Sequence, residues 1–423
     1  MGIEKTKGTV GTFSMAMVFI GYGITINAVG IGASLGKGMT LRAGIIAMIV
    51  GTILLSIMAT LSALMGERAR YTTSVIWQYV YGRAGGRIPS IVVGISLILW
   101  TFFDLWYVGA AMKGIFKSVP HVPFIIGEII ILCFCLYGSL KGLQGLAKIA
   151  NATIPIAVIL FAYVTYMTAV RAGGLAVLDA YVPAPENAIN MATGINIVVG
   201  HFICCTGLWG DLTCEAKTKK AVIVAVPAGM LANMAIHFVG QFGVIGLNAY
   251  GLDAVANALG GVLMIILHIF TIVAVINTTP STFHLVKIQL GTSIGHPKFW
   301  AVAGPIIGVS GAFIVEYVTS LSLISVWSQI VACVMSPVVG VSLAEFWLGR
   351  KGECAVDEMP PLFCKMPVLS LAVTFVFALI CTFFIPSVPT SFGAATFGFI
   401  FHCIMLKIFG HPAVKADESA AEV

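Results

Sequence analysis

Charge is what this chain has least of. Only 9% of its 423 residues are Asp, Glu, Lys or Arg, against about 25% in soluble globular domains. A chain so poor in charge cannot cover a water-soluble globule of this length. Its net charge of +6 gives no hint of a nucleic-acid surface. The P-loop, the G-x-S-x-G nucleophile elbow, the H-E-x-x-H zinc motif and the dinucleotide fingerprint are all missing. Neither ATP-driven transport by this chain alone nor an enzyme activity is therefore expected. None of the ten cysteines falls in a predicted outer loop, which argues against a disulfide framework. Cys133/Cys135 and Cys204/Cys205 have no adjacent His/Cys set at metal-ligand spacing and read as small apolar core residues. No cofactor is implied.

What the chain has in abundance is apolar length. It is 59% hydrophobic with 46 glycines, and its mean hydropathy is +1.02. Small residues suit close helix packing in lipid. Runs of about 20 residues, enough to cross a bilayer, number twelve. They lie at 11–35, 40–65, 89–113, 122–140, 149–170, 189–210, 220–246, 257–280, 299–317, 322–347, 366–385 and 388–408. Their even spread predicts one all-helical integral membrane bundle. The Met1–Lys7 opening is too short for the basic region of a cleaved leader, so the first span is expected to stay as an anchor. Residues 67–88, with four arginines around Trp77, Tyr79 and Tyr81, read as an interfacial extension.

Orientation follows from the basic residues. With the N-terminus inside, only Lys37, Arg42, Lys113, Lys117 and Arg171 of the 23 lysines and arginines fall outside. That positive-inside bias predicts a multi-pass plasma-membrane protein with both termini cytoplasmic. The acidic end, Asp417, Glu418 and Glu422, reads as a disordered tail.

Two spans are interrupted by glycine at matching places. The first carries Gly21-Tyr22-Gly23-Ile24-Thr25. The second, about 180 residues later, carries Gly200-His201-Phe202-Ile203-Cys204-Cys205-Thr206-Gly207. Lipid cannot bond the backbone groups that a helix break frees, so such breaks survive only in protein or beside a cavity. Paired breaks in two halves point to the substrate site of a secondary transporter.

The polar residues of other spans gather around the same depth. Leu97, Trp100 and Asp104, at i, i+3 and i+7, share one helix face. A carboxylate at mid-membrane costs about 2.5–3.5 kcal/mol on insertion scales and usually faces a polar cavity. Asp104 therefore reads either as a functional acid or as a structural carboxyl bonded to a neighbouring helix. His201 and Phe202 sit at the expected second break, with Cys205 one turn on. Asn277-Thr278-Thr279-Pro280-Ser281-Thr282 closes the eighth span. Its hydroxyls either bond back to carbonyls one turn earlier or, with carbonyls freed elsewhere, supply the oxygen ligands of an alkali cation. A channel would need a continuous polar pore, whereas these polar residues cluster at mid-depth.

The order of these motifs resembles the bacterial cytosine permease branch of the nucleobase–cation symporter family. The resemblance runs from about residue 11 to 408. It rests on Gly21, Arg83-Ala84-Gly85-Gly86-Arg87-Ile88-Pro89-Ser90, Trp100, Val198-Val199-Gly200-His201-Phe202-Ile203 through Asp211, Thr278-Thr279, and Pro337-Val338-Val339-Gly340-Val341 before Glu345. It implies a LeuT-type fold of two inverted five-span repeats, 11–170 and 171–347, then two further spans within 348–408. Cytoplasmic ends at 1–10 and 409–423 complete the expected layout.

By the same resemblance, Trp100 and Phe202 match the aromatics that sandwich a nucleobase. Gly21, Ile24, Val275, Thr278 and Thr279 match a sodium site. Leu97 stands where cytosine permeases carry a base-binding glutamine. His201 replaces serine, Cys205 alanine, Pro280 asparagine and Asp104 glycine. The expected partners are a heterocyclic small molecule, sodium or a proton, and the lipid bilayer. The substrate expected is cytosine or a related pyrimidine or purine, with a hydroxymethylpyrimidine or a hydantoin as alternatives and proton coupling as the alternative drive.

Overall fold

Apolar runs of about 20 residues satisfy their backbone groups in lipid by forming helices. The computed structural model describes residues 5–116, 121–318, 322–354, 360–385, 388 and 390–410. Lys117, Lys415 and the acidic residues of the expected tail lie outside the described residues. Among the described residues there is no strand, only one parallel bridge between Val10 and Ala216.

The chain begins with α1 (Thr12–Gly23) and α2 (Ala28–Gly38), bent by 54° across the residues between them. Then come α3 (Leu41–Ala69), the short α4 (Thr73–Tyr81), α5 (Arg87–Ile115) and the long α6 (Val122–Arg171). Two short helices, α7 (Leu175–Asp179) and α9 (Gly210–Thr213), flank α8 (Met191–Thr206). After them run α10 (Lys219–Leu247), α11 (Leu252–Leu259), α12 (Gly261–Ser293) and α13 (Pro297–Val318). The last three are α14 (Ser322–Ala344), α15 (Lys365–Phe384) and α16 (Thr390–Phe409). By length and hydropathy, eight of the described helices can cross a membrane, or nine if the bent α1–α2 pair is one span.

Some sequence expectations are corrected here. The fourth and fifth expected spans are not among them: they fall in the 50-residue run α6, which is two helices meeting at a kink. At about 1.5 Å per residue that is far longer than a hydrocarbon core of about 30 Å. It is broken at Gly142, whose φ of 65° and ψ of −156° are not helical. Glycine takes that conformation without a Cβ penalty. The expected end of the eighth span at residue 280 is wrong, because α12 continues through Pro280 to Ser293. Within residues 67–88, all nine residues of α4 are buried in the protein, while Arg68, Arg83 and Arg87 around it are exposed. Its aromatics look interfacial in sequence because each carries a polar tip. In the fold the Tyr81 hydroxyl donates to the Val338 carbonyl at 2.8 Å. The Asp211 carboxylate receives the Thr73 N–H at 2.7 Å and so caps the start of α4.

Packing brings α1 and α2 against α10, and α12 against α5 and α6. Glycine permits the first of these contacts. A Cβ on Gly23 would strike the Gly229 carbonyl, and one on Gly240 would strike that of Val29. Arg68, Arg70 and Lys351 meet near one end of α3. There Arg68 donates to the carbonyls of Lys351 and Gly352, and Thr6 donates to those of Arg70 and Cys214. At the other end of α3, Arg42 pairs with Asp179.

Candidate substrate and cation site

The bend between α1 and α2 supplies the first wall of an internal cavity. The Ile24 N–H still reaches the Ile20 carbonyl at 2.9 Å, and the Thr25 N–H turns back to Gly23 at 2.8 Å. The Asn233 side chain of α10 donates to the Gly23 carbonyl at 3.1 Å. A carbonyl at the helix end is thus satisfied from a neighbouring helix. Tyr22, Thr25 and Asn27 from this bend face the cavity.

The other walls come from α5 (Leu97, Trp100, Asp104), α8 (His201, Phe202, Cys204, Cys205) and α12 (Thr278, Thr282). About 440 Å³ of empty space lies between them, the open mouth included. All six residues expected to touch substrate (Leu97, Trp100, Asp104, His201, Phe202 and Cys205) therefore line one cavity. Tyr22, Thr25, Asn27, Cys204 and Thr282 were missed as lining residues.

The second break is not where the glycines suggested. The helix α8 is continuous through Gly200–Cys205 and ends at Thr206, with Gly207 as its C-cap. Gly200 serves close packing, since a Cβ there would come within 2.9 Å of the Ser391 hydroxyl. His201 and Phe202 are thus held on a regular helix face. Phe202 packs edge-on against Tyr22, with ring centroids 5.9 Å apart, and against Trp209 at 6.0 Å. His201 lies beside Phe202 at 5.6 Å and faces His237 of α10 at 6.2 Å. The His201 Nε2 is buried with no hydrogen-bond partner. It is a polar group aimed at nothing the protein itself provides.

Asp104 is 5% exposed and accepts a hydrogen bond from the Asn27 amide at 2.8 Å. This ties α5 to the bend between α1 and α2. Both of the sequence readings of Asp104 meet here: the carboxyl bonds to another helix, and it also lines the cavity.

At Thr278, in the cavity wall, α12 approaches the end of α1. The Thr278 hydroxyl oxygen lies 3.3 Å from the Gly21 carbonyl, 3.1 Å from that of Ile24 and 3.2 Å from that of Ala274. One hydroxyl has one hydrogen to donate, so at least two of these carbonyls face it as oxygen against oxygen. Next to it, Thr279 Oγ1 is buried without any partner. Its neighbours behave otherwise, for Ser281 and Thr282 bond back to the carbonyls of Asn277 and Thr278. Val275 is buried one turn before Thr279. Pro280 lacks an N–H, so the helix leaves the Ile276 carbonyl without its usual donor. An excess of buried acceptor oxygens over donors is what a hard cation requires.

Residues 2–361 match the family described as permease for cytosine/purines, uracil, thiamine, allantoin. The cytosine permease of Escherichia coli K12 is 25% identical over 351 residues, covering 80% of this chain and 78% of its own. Two solved structures of Mhp1, a nucleobase-cation-symport-1 family transporter, share the fold at 16% identity. The closed form with bromovinylhydantoin bound has a TM-score of 0.80, covering 96% of this chain and 94% of that one. The inward-facing form has a TM-score of 0.75 over 95% and 91%. A Na+-coupled sialic acid symporter is also similar in fold, with a TM-score of 0.66 at 11% identity over 94% and 90%. The chain belongs to the nucleobase–cation symporter family of membrane permeases.

Proposed function

We propose that this protein imports a flat, nucleobase-like heterocycle by cation symport through alternating access, with sodium as the coupling ion. The observation that carries the reading is the meeting of two features at one helix break. An aromatic-walled cavity opens on one side of the bend. At the cavity wall, the carbonyls of Gly21 and Ile24 converge on Thr278 beside the unpartnered Thr279 hydroxyl.

In this reading Trp100 and Phe202 stack on the two faces of the ring, an interaction worth about 1–3 kcal/mol per base. His201, Asp104 and the Asn27 amide read its edge, while Leu97 and Cys205 shape the pocket. Sodium is held by the carbonyls of Gly21, Ile24 and Val275 and the hydroxyls of Thr278 and Thr279. It is cargo, and no cofactor takes part. Counting α6 as two spans, and α1–α2 and α8–α9 as one each, gives twelve. Those twelve divide into repeats at 11–170 and 171–347 with two further spans in 348–408. The ends at 1–10 and 409–423 are then cytoplasmic and the bundle sits in the plasma membrane.

The substrate is cytosine or a related pyrimidine or purine. Leu97 in place of a glutamine, together with the acid at Asp104, favours a ring bearing an extra donor, such as a hydroxymethyl-aminopyrimidine, over bare cytosine. A hydantoin is the other candidate. A proton-coupled variant has one observation in its favour, the buried Asp104 carboxyl in the cavity wall.

Purified protein melted against a panel of heterocycles, with sodium or choline, tests the proposal. The expected result is a shift for one class of flat ring that grows with sodium, followed by saturable uptake and counterflow in vesicles. Flux without saturation or counterflow would point to a channel. Uptake indifferent to sodium but abolished by a proton uncoupler would transfer coupling to Asp104.

A further inference from the structure

We propose that Cys204 and Cys205 form a dithiol site in the cavity wall that chelates soft, thiophilic centres, monosubstituted trivalent arsenicals foremost. The two residues are adjacent in sequence and close α8 just before its end. Both line the cavity. Their sulfurs lie 3.8 Å apart. Trivalent arsenic is pyramidal and holds its two sulfurs a few tenths of an ångström closer than this, a change that small side-chain rotations supply without backbone movement.

The surroundings favour the sulfur chemistry. The Tyr22 hydroxyl donates to Cys205 Sγ at 3.5 Å, which supports a thiolate as it forms. The second pair noted in the sequence is Cys133 and Cys135, spaced i, i+2 on α6. One of them is exposed and the other buried. Cys204 and Cys205, by contrast, both line the cavity described above.

A monosubstituted arsenical matches this site in valence. Its arsenic carries one organic group and, when hydrated, two exchangeable hydroxyls. Each thiol forms one As–S bond and one As–O bond breaks. Each thiol proton leaves with a hydroxyl as water, so two waters are released. The arsenic stays trivalent and no electrons change hands. The second bond closes within the protein, at an effective concentration set by the 3.8 Å spacing rather than by bulk thiol.

Phenylarsine oxide on the purified full-length protein is the test, read by intact mass and by counting thiols that react with maleimide. The expected product carries one phenylarsenic group and has two fewer reactive thiols. It should resist an excess of 2-mercaptoethanol about 100-fold better than the adduct of Cys204→Ser or Cys205→Ala, yet release to 2,3-dimercaptopropanol. Far-UV circular dichroism and a melting curve establish that each variant is folded. A single variant suffices for the comparison should the other fail to express. Equal retention in wild type and variant, or loss of the wild-type adduct to the monothiol, would overturn the proposal. The readout needs no transported substrate, so its failure leaves the transport proposal standing, and the reverse holds as well.

Discussion

Replacing Thr279 by valine should separate sodium binding from folding. The Thr279 hydroxyl is buried and bonds to nothing in the protein, and a buried polar group left without a partner costs about 1–3 kcal/mol. Valine keeps the branched shape and removes that group. Without sodium the variant should be as stable as the wild type or more so. Sodium should show the opposite sign. Losing one oxygen that faces a charge is worth about 1.5–3 kcal/mol, so half-saturation should move to sodium concentrations about 10- to 150-fold higher. Thr278 differs, because its oxygen already lies within reach of three carbonyls. Thr278→Val should lose about 0.5–1.5 kcal/mol of stability even in choline, and sodium binding too. The assay is a melting series for both variants in choline and across a sodium titration, with vesicle uptake as the second readout. The reasoning fails if Thr279→Val melts well below wild type in choline, or if its sodium dependence is unchanged.

Three further expectations follow from the same geometry. Phe202→Ala should weaken ligand binding by about 1–3 kcal/mol, measured by ligand-induced melting shifts; an unchanged shift would remove Phe202 from the pocket. Leu97→Gln should gain or strengthen cytosine binding and Asp104→Asn should alter preference within a heterocycle panel, whereas unchanged selectivity in both would mean that neither side chain meets the ligand. Glu215, in the segment between α9 and α10, has its carboxyl pushed above the usual range by burial, against smaller opposing effects of Thr9 and Lys287. A raised carboxyl pKa makes ionisation unfavourable to the fold, so stability falls as pH rises through and above the ordinary carboxylate range. Glu215→Gln should therefore melt higher than wild type at neutral pH, with the gap closing in acid; a gap independent of pH would refute the cause.

How much of this was legible in the sequence depends on the kind of residue. Leu97, Trp100 and Asp104 could be placed together because i, i+3 and i+7 share a face on any straight helix. The Thr278–Thr279 pair was legible through its resemblance to a family site. Tyr22, Thr25 and Asn27 were not, since their directions depend on a 54° bend that no periodicity encodes. The second break was misplaced for a related reason. Glycine marks both close packing and chain breaks, and Gly200 does the first while Gly207 sits at the helix end. Pro280 was read as a helix end, yet α12 passes through it. Neighbouring helices bury this stretch, and a proline costs less where it frees a carbonyl that another group can use.

The bend after α1 matters more than any single ligand because both proposed sites are cut from it. Gly21 and Ile24 turn their carbonyls toward Thr278. Tyr22, Thr25 and Asn27, interleaved with or next to them in sequence, line the cavity. In the proposed function, interleaved residues of one short segment thus serve two occupants. In the proposed mechanism a cation that draws the carbonyls toward α12 also fixes the side chains between them, and a ring held by those side chains fixes the carbonyls in return. Such coupling is reciprocal by thermodynamic necessity. The factor by which sodium tightens ligand must equal the factor by which ligand tightens sodium. The Asn27–Asp104 hydrogen bond extends the same segment to α5. Asn27→Ala should therefore reduce that coupling factor while leaving sodium binding in the absence of ligand close to wild type, because none of the proposed cation ligands is touched. Sodium titrations with and without ligand, and ligand titrations with and without sodium, measure the factor twice. A full-sized coupling factor in Asn27→Ala would show that the bend acts without its tie to α5.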